Sequence, residues 1–133
     1  DRSVSRGLGD VYKRQAKCIK FGKSLTKMCN VFDIDIEMNE KPVGRGYTIL
    51  DTDKHPWSMN NKNIHAHEFH YSSVKFNKKR YKYAYNVKRG YGINGRKDGL
   101  IYKNTIASFS HLRSTSKFNW AKYFIKFIEQ NNG

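Results

Sequence analysis

From Val31 onward the chain alternates. In VFDIDIEM (31–38), Phe32, Ile34, Ile36 and Met38 take every second position, with Asp33, Asp35 and Glu37 between them. A period of two places the apolar set on one side of a pleated strand, so this segment predicts a half-buried strand. NEKPVGRG supplies turn residues, and GYTIL (46–50) predicts a second strand. DTDKHPWSMNNKN, with Pro56 and several asparagines, reads as a loop, and IHAHEFHYSSVKF (64–76) as one extended segment. YKYAYNV (81–87) alternates Tyr81, Tyr83, Tyr85 and Val87 on one face and predicts a strand. RGYGINGRKDG is a glycine-rich turn region, and GLIYKN and IASFSHL follow as short strands.

The period then changes. Trp120, Tyr123, Phe124, Phe127 and Ile128 fall at i, i+3, i+4, i+7 and i+8, a continuous apolar stripe on a helix, with Lys122, Lys126 and Glu129 facing away. Ser116 or Asn119 can cap its start, and Gly133 follows its end. The stripe is expected to be core. Several strands and one firm helix place the chain in the α/β class. A complete domain of that class alternates strands and helices regularly, and here the first half of such an alternation is missing.

The first fifteen residues, DRSVSRGLGDVYKRQ, show no sustained periodicity and carry the breakers Ser5, Gly7 and Gly9. They resemble translated sequencing-adaptor sequence, GLGDVYKRQ most of all. On this reading residues 1–15 are a non-native tail, to be left out of fold reasoning, and 16–133 are the domain.

At 133 residues the chain is long enough for one modest domain with a real core. No apolar run approaches the roughly 20 residues that a membrane-spanning helix needs, and no apolar stretch follows the basic N-terminus as in a secretory signal, so no membrane partner is expected. Cys18 and Cys29 have neither zinc-type nor redox spacing, which points to reduced thiols and a cytoplasmic location. The formal charge of +15 is compatible with nucleic acid, with a polyanionic small substrate, or with AT-rich coding that favours Lys, Asn, Ile and Tyr. Setting aside Arg2, Arg6, Lys13 and Arg14 together with Asp1 and Asp10 lowers it only by two. The lysines are spread out, KKRYK (78–82) being the densest run, and no helix-turn-helix, zinc-finger or RNA-recognition signature accompanies them. A small nucleic-acid-binding module using residues 75–91 stays an alternative.

IHAHEFHYS (64–72) holds three histidines and a glutamate in nine positions. A zinc protease motif needs two histidines four apart on a helix. His67 and His70 are three apart in a strand, where His65 and His67 share one face while Glu68 and His70 share the other. A metal-dependent hydrolase built on His65, His67 and His70 stays open as a further alternative, but locally bonded strand histidines are the stronger reading, and no metal is expected. His111, in ASFSHLRS, follows a short apolar strand and precedes a polar loop. A histidine there can serve as general base to a cysteine brought from elsewhere, or be an ordinary loop residue.

Taken in order, GRGYTIL, HAHEFHYSS, DGLIYKNTIASFSHL and NWAKYFIKF resemble the C-terminal end of the cobyrinic acid a,c-diamide synthase family, over about residues 28–130. That family includes the enzyme that amidates Ni-sirohydrochlorin on the way to coenzyme F430. The pairing of HEFHYS with a downstream ASFSH is the specific part of the match. The resemblance implies the distal half of a class I glutamine amidotransferase domain, flavodoxin-like, attached in the parent protein to an N-terminal ATP-binding domain. It implies glutamine as ammonia source, a tetrapyrrole (cobyrinate or Ni-sirohydrochlorin) as acceptor of amides on its a and c acetate side chains, and ATP with Mg2+ bound by the missing domain, none by this fragment.

Residue by residue, the resemblance makes His111 the activating histidine. His70, Tyr71 and Ser72 match the segment that lines the glutamine pocket, with His67 and Glu68 as structural support. Ala66 replaces a usual glycine, and Arg113 stands where a second histidine is common. Neither AKCIKF nor KMCNVF matches the glycine-rich elbow that carries the nucleophilic cysteine. That cysteine is therefore expected upstream, and the fragment is expected to be inactive. Half of an α/β sheet also leaves an unpaired edge and an uncovered face.

Overall fold

The computed structural model describes residues 10–52 and 61–131. His55 and Pro56 of the predicted loop, residues 1–9 of the tail and Gly133 lie outside them. In chain order the elements are α1 (Asp10–Gln15), β1 (Cys18–Phe21), β2 (Ser24–Lys27), β3 (Ile34–Met38), β4 (Gly44–Thr52), β5 (Ile64–His70), β6 (Ser72–Phe76), β7 (Lys82–Arg89), β8 (Lys97–Tyr102), β9 (Thr105–Ala107), β10 (His111–Leu112) and α2 (Trp120–Asn131). The strand-rich chain with a C-terminal helix is the one the hydrophobic pattern predicts.

The strands form two sheets, ordered β2-β1-β3-β6 and β10-β5-β4-β7-β8-β9. Only β1 and β3 pair in parallel; the other described pairs are antiparallel. The alternation in VFDIDIEM behaves as read. Phe32, Ile34 and Ile36 are fully buried and form one core cluster with Tyr12, Ala16, Ile93, Leu100, Ala107 and Phe109. A second cluster gathers Leu50, Ile64, Ala66, Ala84, Tyr85 and Phe118, with Trp120 and Tyr123 of α2 against it. Leu100 packs in the first cluster and its neighbour Ile101 against the second, as strand alternation requires of a sheet buried on both faces.

Four expectations change in detail. The segment 64–76 is not one strand but two, because the chain leaves the larger sheet and joins the smaller at Tyr71. Asn39 pins the switch: its backbone N–H (2.7 Å) and its Nδ2 (3.0 Å) both donate to the Tyr71 carbonyl, and Nδ2 also reaches Ser73 Oγ. In β7, Tyr81 and Tyr83 pack against the first cluster, whereas Tyr85 and Val87 join the second along with Ala84. The ladder to β8 passes over Ala84, and opposite it Gly99 sits at φ +70°, where a Cβ would meet the Tyr85 ring at 2.6 Å.

On α2 only Phe127 is fully buried; Trp120, Tyr123 and Phe124 are half-buried and Ile128 is exposed, so the stripe covers the core through its first turns. Asn119 is the cap, accepting the Lys122 N–H at 3.0 Å.

The fourth change concerns the tail. Its last six residues form α1 and are packed. Tyr12 is fully buried, its ring 4.5 Å from Phe109, its hydroxyl donating to Asp98 and accepting the Leu100 N–H. Residue 15 is therefore not the edge of the packed domain, because an aromatic ring with both hydrogen-bond roles satisfied completes the first cluster.

Ile36 lies at the centre of the smaller sheet, opposite Ile19 and Val74. Ile36→Ala should cost about 2–5 kcal/mol in urea unfolding, whereas Thr26→Ala, on the exposed edge strand β2, should stay within about 0.5 kcal/mol.

Candidate functional site

The histidine-rich strand has two faces, and they do different things. Along β5, Ile64, Ala66, Glu68 and His70 are buried while His65, His67 and Phe69 are exposed, strictly by period two. The sequence expectation that His65 and His67 oppose Glu68 and His70 is what the fold builds.

On the inner face Glu68 is 2% exposed and anchors a network. Its carboxylate accepts the Tyr91 N–H at 2.6 Å and the Gly92 N–H at 2.8 Å, both from the glycine-rich turn after β7. His70 Nε2 lies 3.3 Å from the same carboxylate, and Nδ1 lies 3.0 Å from the Ser72 carbonyl oxygen. Both ring nitrogens of His70 thus face oxygen atoms, and Glu68 and His70 form a buried pair. Burial pushes the Glu68 carboxyl upward, but the hydrogen bonds from His70, Tyr91 and Gly92 outweigh it and hold the group below its ordinary range.

Glycines make this approach possible. A Cβ on Gly90, at φ +113°, would lie 2.6 Å from Thr48 Cγ2 and 2.9 Å from Glu68 Oε1. One on Gly44 would run into the His70 ring and the Glu68 carboxylate. The His70 ring also stacks on Phe109, with centroids 3.8 Å apart and planes at 6°.

On the outer face three residues form a row across three strands. Tyr47 of β4 pairs with His67 of β5, and His67 pairs with His111 of β10. The His67 and His111 rings stack, centroids 4.8 Å apart and planes at 29°. Beside this row lies an open depression of about 720 Å³ lined by Arg45, Tyr47, His65, His67, Phe69 and Arg113 among others.

The turn that presents His111 is held by an acid the sequence reading did not single out. Asp98, fully buried, accepts from Ser108 Oγ (2.9 Å), the Phe109 N–H (3.2 Å) and the Ser110 N–H (2.9 Å), besides the Gly99 N–H and the Tyr12 hydroxyl. Three consecutive residues before His111 are therefore tied to one carboxylate. The residue pattern did carry a signal, an Asp–Gly step entering a strand and serines on both sides of Phe109, but only the fold shows that they meet.

Residues 8–118 match the model of the CobB/CobQ-like glutamine amidotransferase domain. The chain belongs to this family. The CobB/CobQ-like amidotransferase domain is a flavodoxin-like α/β fold. Similar curated proteins are cobyrinate a,c-diamide synthases. That of Magnetococcus marinus is 36% identical over 102 residues, 76% of this chain and 22% of the relative. That of Archaeoglobus fulgidus is 33% identical over 102 residues, 75% and 22%. That of Saccharolobus solfataricus is 39% identical over 87 residues, 64% and 19%. The chain spans about a fifth of the length of these relatives.

Within this amidotransferase frame the expected site residues divide. His111 and His67 meet on the accessible face. His70 and Ser72, which the resemblance assigns to the glutamine pocket, are buried: His70 is paired to Glu68, and the Ser72 hydroxyl donates to Met38 Sδ. The reason is the strand period, which turns residues 68 and 70 away from residue 67. Tyr71 is half-buried and meets Phe69, at the depression, edge-on at 5.5 Å. His67, expected as structural support, lies beside His111 on the outer face. The same division separates His70 from His65 and His67, so the three cannot converge on one ion, and no group of three or more His, Cys, Asp or Glu does so among the described residues.

Neither thiol is placed as a nucleophile. Cys18 is buried on β1 and its Sγ donates to Asp35 at 3.0 Å; burial first, then the Asp35 carboxylate, push the thiol up, the reverse of activation. Cys29 is exposed, and both are free.

Two tests follow from this geometry. Glu68→Gln should cost about 3–5 kcal/mol by removing one partner of the buried Glu68–His70 pair. Because the Glu68 group is held below its ordinary range, its stabilisation is complete above that range and is lost as pH falls through the lowered value. The variant should therefore lose part of the acid limb of the stability–pH curve. In the native chain, a maleimide should label Cys29 at least about tenfold faster than Cys18, a ratio that peptide mapping reads directly.

Proposed function

We propose that this chain is the distal part of the glutaminase domain of an ATP-dependent amido-ligase acting in the cytoplasm. The ligase amidates the a and c acetate side chains of a tetrapyrrole, cobyrinate or Ni-sirohydrochlorin, in cobalamin or coenzyme F430 biosynthesis. Membership of the amidotransferase family and the activity for which the relatives are named support this, and the observation that carries it is His111, presented on the accessible face by a turn tied to Asp98.

The chemistry is thiol-based hydrolysis of an amide. A cysteine on an upstream elbow gives its proton to the His111 ring, and the thiolate attacks the side-chain carbonyl of glutamine. His111 then returns the proton to the departing nitrogen, so ammonia leaves and a thioester remains. Water, deprotonated by the same ring, cleaves the thioester to glutamate and restores the thiol. On this reading Tyr71, whose ring meets Phe69 at the depression, is the residue of the expected glutamine segment that touches substrate.

ATP and Mg2+ belong to the rest of the ligase. A phosphate-binding loop needs G-x-x-x-x-G-K-[ST] between a strand and a helix. The nearest run here, KCIKFGKS, has Lys17 in place of the first glycine, and Gly22 and Lys23 form the turn between β1 and β2. Among the described residues, this run does not fit the phosphates of ATP. The adaptor origin of the N-terminal residues is part of the proposal, and the genomic sequence upstream of Lys17 should read as a glycine-rich cysteine elbow.

A nucleic-acid reading has one observation behind it: Lys79 and Lys103 each place Nζ 5.6 Å over the Tyr102 ring, beside Lys78 and Arg80. Retention on DNA or RNA at 200 mM salt beyond that of a generic basic protein would favour it.

The test compares glutamate release from glutamine by this chain and by the longer product of the same gene that carries an elbow. The chain alone should show none. The longer protein should turn over, and His111→Gln should reduce its rate by about 10²–10⁴-fold. His111-dependent turnover by the chain alone, or unchanged turnover in the longer variant, would overturn the reading.

A further inference from the structure

We propose that His67 is a positioning residue for His111, holding the plane of the ring that receives the thiol proton. The inference rests on the proposed role of His111 and goes beyond it by naming what orients that ring.

His111 sits in a two-residue strand at the margin of the larger sheet, where, among the described strands, β10 pairs with β5 alone. Such a short edge strand restrains its backbone weakly, and the torsion that turns an imidazole about its own axis is broad. Two features of the fold supply the missing restraint. From within the chain, Asp98 ties down residues 108–110. From across the sheet, His67 is the direct register partner of His111, and the rings lie face to face at 4.8 Å and 29°.

His67 is itself backed by its other register partner, Tyr47, so the row Tyr47–His67–His111 runs across three strands on the accessible face. The inner-face pair cannot take this part, because Glu68 and His70 are turned the other way and engaged with the 91–92 amides and the Ser72 carbonyl. When His111 becomes imidazolium in the reaction, the aromatic face of His67 lies against the new cation, a favourable arrangement for a ring quadrupole. A flat aromatic ring is what this role requires. A nitrogen is not, and that distinguishes stacking from hydrogen bonding or metal ligation.

The test uses the 133-residue chain in four forms: unaltered, His67→Ala, His67→Phe and, as a control on the same face, His65→Ala. His111→Gln assigns the His111 signals. Two quantities are read, the ring-current shift of the His111 carbon-bound protons and the rate at which diethyl pyrocarbonate modifies His111. His67→Ala should abolish the shift and change the rate by about two- to tenfold, the factor set by loss of one aromatic pair. His67→Phe should restore both, and His65→Ala should leave both unchanged.

A role confined to holding the strand would lower the melting temperature while leaving the His111 signals of the folded protein in place, and that result overturns the proposal. So does failure of phenylalanine to restore them. Should the alanine variant not fold, the phenylalanine variant decides alone: native-like His111 signals support stacking, and altered ones refute it. These readouts report geometry without turnover. A missing stack beside His111-dependent glutamine hydrolysis defeats this inference only, and an intact stack beside His111-independent hydrolysis defeats the functional reading only.

Discussion

A negative charge placed where water cannot reach it has to be surrounded by donors, and Glu68 imposes that requirement on four parts of the chain. The turn after β7 must bring two consecutive amides to it, and His70 must turn a ring nitrogen toward it. Gly44 and Gly90 must stay without side chains. Because β5 has a period of two, fixing Glu68 inward also fixes His67 outward, beside His111. A one-residue slip of the strand would bury the outer histidines and expose the carboxylate together. Register and charge burial therefore enforce each other.

The same device recurs with Asp98, whose carboxylate gathers the turn before His111, and more mildly with Asp33, which accepts the Lys78 N–H. These acids serve as internal tie points for loops. With 11 acidic residues against 26 basic ones, diverting several carboxylates to backbone amides leaves the surface cations even less compensated.

Alternation made most of the fold legible. Phe32, Ile34 and Ile36 behave as read, as do the two faces of β5 and the cap at Asn119, because each depends on near neighbours in sequence. What stayed hidden depends on contacts between distant positions. Ser72 reads as a pocket residue until the switch at Tyr71 carries it into the other sheet. Asp98 reads as a turn residue until residues 108–110 arrive from ten positions away. His67 and His111 lie 44 positions apart, and no local pattern pairs them. The site was legible as a list of residues, not as an arrangement.

Helix α1 bears on how such a domain tolerates change at a junction. Six residues fill a slot in the first core cluster with one aromatic ring, set against Phe109 with its hydroxyl between Asp98 and the Leu100 amide, while the carbonyls of Arg14 and Gln15 accept the Cys29 and Phe32 N–H groups. The stretch just before β1 therefore works like a keyed joint. A splice or fusion placed there keeps the packing only when it carries an aromatic hydroxyl to the position of Tyr12.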